Sequence, residues 1–435
     1  MLTILETLFR QVVREGLLEI EDARGRTNSY GPGGTPRVGI RLMDTGAEWA
    51  LLRDPALTLG ELYMDGRLRL EQGNVYDLLS LLHRGACNES LPWFLQPLSR
   101  LRFMTRRLRQ ANSPRRAERN VRHHYDIDLP TYDLFLDRAR QYSCAYFRPG
   151  DDIEAAQQAK MRHLAAKLDI GSGQSVLDIG CGWGGLGAFL AQNTDADVIG
   201  ITLSDSQVEA ARKLAREEGL RNRLEFIKQD YRTLRGTFDR IVSVGMFEHV
   251  GINNYPTYFR QIKKLLKPGG RALVHTIGRS DGPGFTNPFI SRYIFPGGYF
   301  PALSEMMPVI EQSGLVTCDI EVLRLHYAET LRAWRDRFVE NWAEAARRHD
   351  ERFCRMWEFY LAGAEMGFRH HGLVVFQVLL AHDVDSVPIT RDFIAEREME
   401  MAWHASPRRP IRIAGEYPRH LPRAGPGDLR SPEAP

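Results

Sequence analysis

The sequence predicts an α/β protein: a parallel, doubly wound sheet, preceded by a small mixed α+β domain. Three observations predict it. Short strand-like runs alternate with helical stretches through the middle of the chain, a glycine-rich loop follows the first of those runs, and the composition is that of an ordinary globular protein. With 435 residues, 43% hydrophobic and 26% charged, the chain is long enough for two or three cores. Its 58 Lys and Arg against 55 Asp and Glu leave a formal charge of +3. That balance argues against nucleic acid as a partner recognised through overall charge, so any electrostatic partner must meet a local patch.

Residues 1–97 alternate short apolar runs with turn signals, Gly31-Pro32-Gly33-Gly34 and Asp65-Gly66, as a small α+β domain does. Residues 98–120 form a basic segment. Nine arginines and one acid, Glu118, lie between Arg100 and Arg122, while Leu98, Leu101, Met104 or Thr105, and Leu108 recur at helical spacing on another face. This predicts a basic amphipathic helix running into a linker near Ser113 and Pro114. By itself it reads as a solvated linker or as a surface for anionic membrane.

Residues 121–395 carry the strand and helix alternation. Strands are predicted at 175–179, 197–202, 224–228, 238–244 and 271–277, with two more at 317–323 and 373–381. Ser204 is placed to cap a helix, and Pro268 with Gly269 and Gly270 stops another before the next strand. A long helical excursion, about 328–370, separates the last two strands and is expected to cover the site. Residues 396–435 are a C-terminal extension, predicted disordered from about 406, where seven of the 23 prolines fall.

Five scattered cysteines, Cys87, Cys144, Cys181, Cys318 and Cys354, never form a CxxC pair, which predicts no disulfide framework, no metal site and a reducing compartment. The first sixteen residues mix apolar and charged positions at helical spacing, so export is not expected. The apolar run at 373–381 is too short to span a bilayer. Any lipid is therefore met from the water side.

The loop after the first central strand reads Gly180-Cys181-Gly182-Trp183-Gly184-Gly185. Glycines there let backbone amides approach a ligand at the start of a helix. The pattern fits both a dinucleotide site and a methyl-donor site. Asp178, two residues earlier, favours a ligand with positive charge, such as the amino group of S-adenosylmethionine, over a pyrophosphate that it would repel. The second strand ends without the usual ribose-binding acid, leaving Thr202, Ser204, Asp205 or Gln207 for that task.

Longer strings then become legible: HYD at 124–126, YSCAYF at 142–147, VLDIGCGWGG at 176–185, GITLSDSQ at 200–207, QDYR at 229–232, FEHVG at 247–251, HTIGR at 275–279, NPFISRYIFPGGYFPALSE at 287–305 and LHYAETLRAW at 325–334. In this order they resemble the cyclopropane fatty acyl phospholipid synthases, including the mycolic acid type. Residues 54–71 are similar to the N-terminal domain of the longer bacterial members. The resemblance implies a Rossmann-like S-adenosylmethionine-dependent methyltransferase sheet and transfer of a methyl group to the cis double bond of an unsaturated phospholipid acyl chain, giving a cyclopropane.

Carried over by the resemblance, the donor contacts are Tyr142, Ser143, Gly180, Gly182, Thr202, Leu203, Ser204, Gln207 and Tyr231, to which the charge argument adds Asp178. The family's bicarbonate site carries over to Cys144, Glu248, His275, the backbone of Ile277, and Tyr327. His249 is given no role. One loop departs: after HYD the family often continues Gly-Asn, whereas this chain has Ile127-Asp128-Leu129-Pro130-Thr131-Tyr132.

This chemistry needs such residues. An alkene attacking a sulfonium methyl builds positive charge on carbon that water would trap, so the chamber must be dry. Tyr125, Phe247, Tyr293, Phe295 and Tyr299 are aromatic candidates to face that charge, the plain alternative being core packing. Ring closure needs a base that is not itself alkylated, and a small bound anion suits. Glu248 is expected to accept the bicarbonate hydroxyl, while Tyr327 and the backbone of Ile277 hold its other oxygens.

The expected partners are acyl chains and an anionic membrane surface, with attachment at the inner face of the cell membrane from the cytoplasm. Because family members are often dimers, a homodimer is included. The competing readings are a relative that leaves a methyl or methylene branch, a noncatalytic lipid-binding protein with a retained fold, and, more remotely, a nicotinamide-dependent dehydrogenase.

Overall fold

The computed structural model describes residues 2–86, 96–110, 112 and 128–404. The expectations for Cys87, Tyr125, Ile127, the linker at 113–120 and the tail beyond 404 lie outside the described residues.

The N-terminal part forms a four-stranded sheet from β1 (Gly16–Glu21), β2 (Thr27–Gly33), β3 (Arg37–Leu42) and β4 (Leu68–Gln72), in the order β2-β1-β3-β4. Alternation buries Leu18 and Ile20 of β1 on one face. Helices Thr3–Val12, Thr45–Arg53, Pro55–Met64 and Val75–Ala86 accompany it.

The central sheet has seven strands: β5 (Ser175–Ile179), β6 (Asp197–Thr202), β7 (Leu224–Lys228), β8 (Phe238–Val244), β9 (Leu266–Arg279), β10 (Val316–Leu323) and β11 (Leu373–Ala381). Their order is β10-β11-β9-β8-β5-β6-β7. The neighbours from β9 through β7 pair in parallel, and the order reverses beside β5, which places a crevice at its C-terminal end.

One expectation is corrected here. The sheet is not wholly parallel, because β11 runs antiparallel to both β9 and β10. The reason is the route of the preceding chain. Helix Glu351–His370 delivers it through Gly372, at φ +66°, to the C-terminal end of β9, where Leu373 pairs with Arg279, so the strand runs back. A buried apolar run reads the same in either direction.

The helical excursion comprises His326–Glu340, Trp342–Arg348 and Glu351–His370. Its Trp334, Phe338, Trp357 and Tyr360 share one core with Leu5, Ile20, Leu62 and Met64 of the N-terminal part. Directed bonds cross the same boundary: Tyr63 donates to Glu358 at 2.6 Å, Tyr293 to Glu61 at 2.8 Å, and the Arg355 Nε–H to the Met64 carbonyl at 2.9 Å. Gly60 permits this approach, since a Cβ there would stand 2.4 Å from Phe289.

The basic segment forms helices Gln96–Met104 and Arg106–Arg109. Its arginines do not all face solvent as a simple amphipathic helix would have them. Arg102 is paired with Asp54, and Arg106 lies 3.8 Å from Glu305. Among the described residues no helix is long and apolar enough to cross a membrane.

Candidate active site

A cavity of about 160 Å³ opens at the C-terminal end of β5. Nine of the ten expected donor residues line it: Tyr142, Ser143, Asp178, Gly180, Gly182, Thr202, Leu203, Gln207 and Tyr231. Gly180 and Gly182 hold φ of +84° and +54°, conformations that side-chain-bearing residues rarely take, and the glycines bend the chain from β5 into helix Gly185–Thr194. Ser204 is absent from the wall. It is the N-cap of helix Asp205–Glu217, where its hydroxyl accepts the Gln207 N–H at 3.3 Å. Thr202 donates to the Gln207 carboxamide oxygen at 2.7 Å, which leaves the Gln207 NH₂ as the donor end.

Asp178 is buried, and its Oδ2 has no hydrogen-bond partner. Burial raises its pKa to about 7, against the lowering influence of Lys160. A buried acceptor left open in a cavity fits a cationic donor group such as the ammonium of S-adenosylmethionine.

Beside this cavity lies a smaller one of about 40 Å³, lined by all five of Cys144, Glu248, His275, Ile277 and Tyr327. The two cavities share Tyr142, Ser143, Gly245 and His249. Glu248 comes from a short 3₁₀ turn, Phe247–His249, just after β8. Its Oε1 accepts the Ile277 N–H at 2.7 Å, its Oε2 is buried without a partner, and burial raises its pKa to about 7. The Ile277 N–H thus orients the Glu248 carboxylate, and Ile277 itself stays on the wall of the smaller cavity.

The neighbouring groups are held neutral. Burial pushes the Cys144 thiol up, and Sγ donates to the Ala145 carbonyl at 3.3 Å. Burial depresses His275 strongly and His249 to about 4. Burial also raises Tyr142, whose hydroxyl meets that of Tyr360 at 2.9 Å, and pushes Tyr231 up to about 12.

Residues that sequence reasoning missed anchor Ser143, which lines both cavities. Lys160, fully buried, donates to Gln141 Oε1 at 2.5 Å and Ser143 Oγ at 3.0 Å, while Gln157 donates to the Ser143 carbonyl at 2.9 Å. Both come from helix Ile153–Leu168, where the signal available was a glutamine and a lysine among mostly apolar buried positions such as Ile153, Ala156, Met161 and Leu164. His249 also belongs to both cavity walls.

Of the aromatic candidates, Phe295 lines the smaller cavity, joined by the unforeseen Phe300. Phe247 is packed between Tyr255 and Tyr258, Tyr299 donates to Glu305 at 2.7 Å, and Tyr293 is tied to Glu61, so these three are off the cavity walls. In the departing loop, Tyr132 packs against Trp183 and Tyr142 with centroids 4.7 and 5.3 Å apart. Tyr132 thus supports the donor cavity from behind.

Comparison with known proteins follows the same lines. The sequence profile of mycolic acid cyclopropane synthetase matches residues 112–378. The cyclopropane-fatty-acyl-phospholipid synthase of Escherichia coli K12 is 38% identical over 353 residues, 81% of this chain and 90% of that protein. The tuberculostearic acid methyltransferase UfaA1 of Mycobacterium tuberculosis is 35% identical over 348 residues, covering 76% and 80%. Among solved structures, the mycolic acid cyclopropane synthase CmaA1 complexed with SAH and CTAB aligns with a TM-score of 0.58 at 30% identity, over 61% of this chain and 98% of that one.

Proposed function

The chain belongs to the mycolic acid cyclopropane synthetase family of S-adenosylmethionine-dependent methyltransferases, and from that premise we propose that it converts the cis double bond of an unsaturated phospholipid acyl chain into a cyclopropane. The observation that carries the reading is the shared wall: the five residues expected around bicarbonate enclose one pocket that adjoins the donor cavity.

When bound, S-adenosylmethionine supplies an electrophilic methyl group and bicarbonate a small base. The side chains do the rest. Asp178 Oδ2 receives the donor's ammonium, and the Gly180–Gly182 turn lets the backbone approach it. Phe295 and Phe300 keep water from a carbon that becomes positive as the methyl is transferred, and an aromatic face stabilises that charge without reacting with it. Neutral His249 and His275 add no positive charge beside it, and the protonated Cys144 thiol is a poor competitor for the methyl.

Glu248 Oε2 accepts the hydroxyl of bicarbonate, while Ile277 fixes the other carboxylate oxygen. A carboxylate whose pKa burial raises to about 7 shares a proton with an anion at little electrostatic cost near neutral pH. The surface helices support peripheral docking on the inner face of the cell membrane: Leu101, Met104 and Leu108 are exposed, flanked by exposed Arg100 and Arg107.

The test is methyl transfer to vesicles of a cis-monounsaturated phosphatidylglycerol, with the lipid read by proton NMR, in bicarbonate buffer and in buffer stripped of carbon dioxide. Cyclopropane resonances that depend on bicarbonate support the reading. A methylene- or methyl-branched product supports the related lipid C-methyltransferase, the activity named for the tuberculostearic acid relative. Donor binding with no product on any lipid supports a noncatalytic role.

A further inference from the structure

The segment Gln96–Arg109 is turned inside out relative to an ordinary surface helix. Leu101, Met104 and Leu108 are 55%, 78% and 76% exposed, whereas the Arg102 and Arg106 side chains are 11% and 16% exposed. The two guanidinium groups border a cavity of about 200 Å³ whose polar wall is Arg102, Arg106, Gln110, Thr286, Ser291 and Arg292. No carboxylate is among its described wall residues.

The acids that accompany these arginines neutralise them unequally. Asp54 takes Arg102 with both oxygens, and Glu61 meets Arg292 at 2.9 Å. Arg106 is less well matched. Its distance to Glu305 Oε1 is 3.8 Å, its Nε is buried without a hydrogen-bond partner, and the second Glu305 oxygen already accepts from Tyr299 and the Ala302 N–H. The Phe103 ring centroid lies 3.7 Å from the guanidinium carbon, and Arg106 Nη1 donates to the Phe103 carbonyl at 3.1 Å, which together orient the group. A buried, oriented guanidinium with an open donor, beside two hydroxyls and two further guanidiniums, suits a tetrahedral oxyanion.

The position of the cavity narrows the source of that anion. It shares Thr286 and Gly298 with the reaction pocket and Gly297 with the donor cavity, and Thr286 donates to the Gly298 carbonyl at 2.6 Å. Its other boundary is the helix whose apolar residues face outward. We propose that this cavity is a phosphate subsite for the headgroup phosphodiester of the substrate phospholipid, with Arg106 as its main contact and Leu101, Met104 and Leu108 seated in the bilayer. The inference rests on the acyl-chain reading above and adds to it a reason for choosing phospholipid over phosphate-free lipid.

The test compares dioleoylphosphatidylglycerol with dioleoylglycerol in neutral mixed micelles, using the full chain as wild type, Arg106→Gln and Arg292→Ala at saturating donor. The ratio of kcat/KM on the phosphatidyl lipid to that on the diacylglycerol is expected to fall about tenfold in Arg106→Gln and about threefold in Arg292→Ala. An unchanged ratio in both variants overturns the subsite, whether activity is kept or lost in proportion. Should Arg106→Gln fail to fold, Arg292→Ala decides, its side chain being 61% exposed.

Calorimetric binding of dihexanoylphosphatidylglycerol requires no turnover. If the wild type methylates neither lipid but binds this probe about tenfold more tightly than Arg106→Gln does, the acyl-chain reading fails and the subsite stands. No binding overturns the subsite even where cyclopropane forms. Inorganic phosphate that displaces the probe at equal concentration overturns the assignment to a lipid.

Discussion

Asp178 and Glu248 occupy the two halves of the site in nearly the same state. Each is a buried carboxylate with one oxygen unpartnered, and burial raises each to about 7. Their surroundings differ. Asp178 is the next-to-last residue of β5, within the field of the Lys160 ammonium, whereas Glu248 sits on a short turn with one backbone N–H on its other oxygen and two neutral histidines along its pocket. A cation arriving at Asp178 pulls its proton off, and an anion arriving at Glu248 makes the proton shared. Similar desolvation therefore prepares one carboxylate to bind and the other to take part in proton transfer.

The sharpest way to break that contrast is to neutralise each carboxylate in turn. Glu248→Gln is expected to lower kcat at least about a hundredfold while the donor Kd stays within about twofold, because general acid–base groups contribute to turnover and not to donor recognition. Stopped-flow turnover and equilibrium titration of donor separate the two effects. Asp178→Asn is expected to do the reverse, weakening donor binding about tenfold or more with a smaller change in kcat at saturation. If both variants lose the same quantity, the division of labour is wrong.

Proton linkage sharpens the same contrast. In the unliganded protein both folded pKa values stand above the ordinary carboxylate values, so the native state binds more protons than the unfolded chain between about pH 4 and about pH 7. Stability from these groups is present at the acid end of that window and falls as pH rises through it. Donor binding reverses the sign at Asp178 by stabilising its charged form. Calorimetry of the donor at pH 7 in buffers of different ionisation enthalpy should find release of about half a proton in the wild type and much less in Asp178→Asn. Lys160→Met should move that release to higher pH, since the ammonium that lowers Asp178 is gone, and should raise the donor KM about fivefold as Ser143 and Gln141 lose their anchor. An unmoved proton release would show that Lys160 has no hold on Asp178.

The sheet, the glycine loop and Asp178 were legible in the residues themselves, for a physical reason, whereas the bicarbonate set and most of the other donor contacts came from the resemblance to the family. The strands β5 to β8 coincide with the runs expected at 175–179, 197–202, 224–228 and 238–244, because β5, β6 and β8 are mostly buried runs bounded by turn residues and the edge strand β7 alternates buried and exposed positions. The glycine loop and Asp178 were legible because their spacing is local. What escaped depends on partners distant in the chain. The inward turn of Arg102 and Arg106 is set by Asp54 and Glu305, and the direction of β11 by where a twenty-residue helix ends. The Ile277 N–H could be assigned only once β9 had brought it to a residue 29 positions earlier.

The smallest expected effect concerns Ser204, where resemblance and geometry point different ways. Resemblance makes it a donor contact, but its hydroxyl accepts the Gln207 N–H, also meets Ser206 Oγ at 2.9 Å, and is off the cavity wall. If capping is its whole work, Ser204→Ala loses about 1 kcal/mol of stability, seen as a fall of about 2 °C in Tm, and leaves the donor Kd within about twofold. Ser204→Asp, which retains a capping oxygen and adds charge at the positive end of the helix, should recover the lost stability. A tenfold rise in donor Kd for Ser204→Ala without a change in Tm would instead make the hydroxyl a ligand contact, and would mean that the turn at 202–207 rearranges when the donor binds.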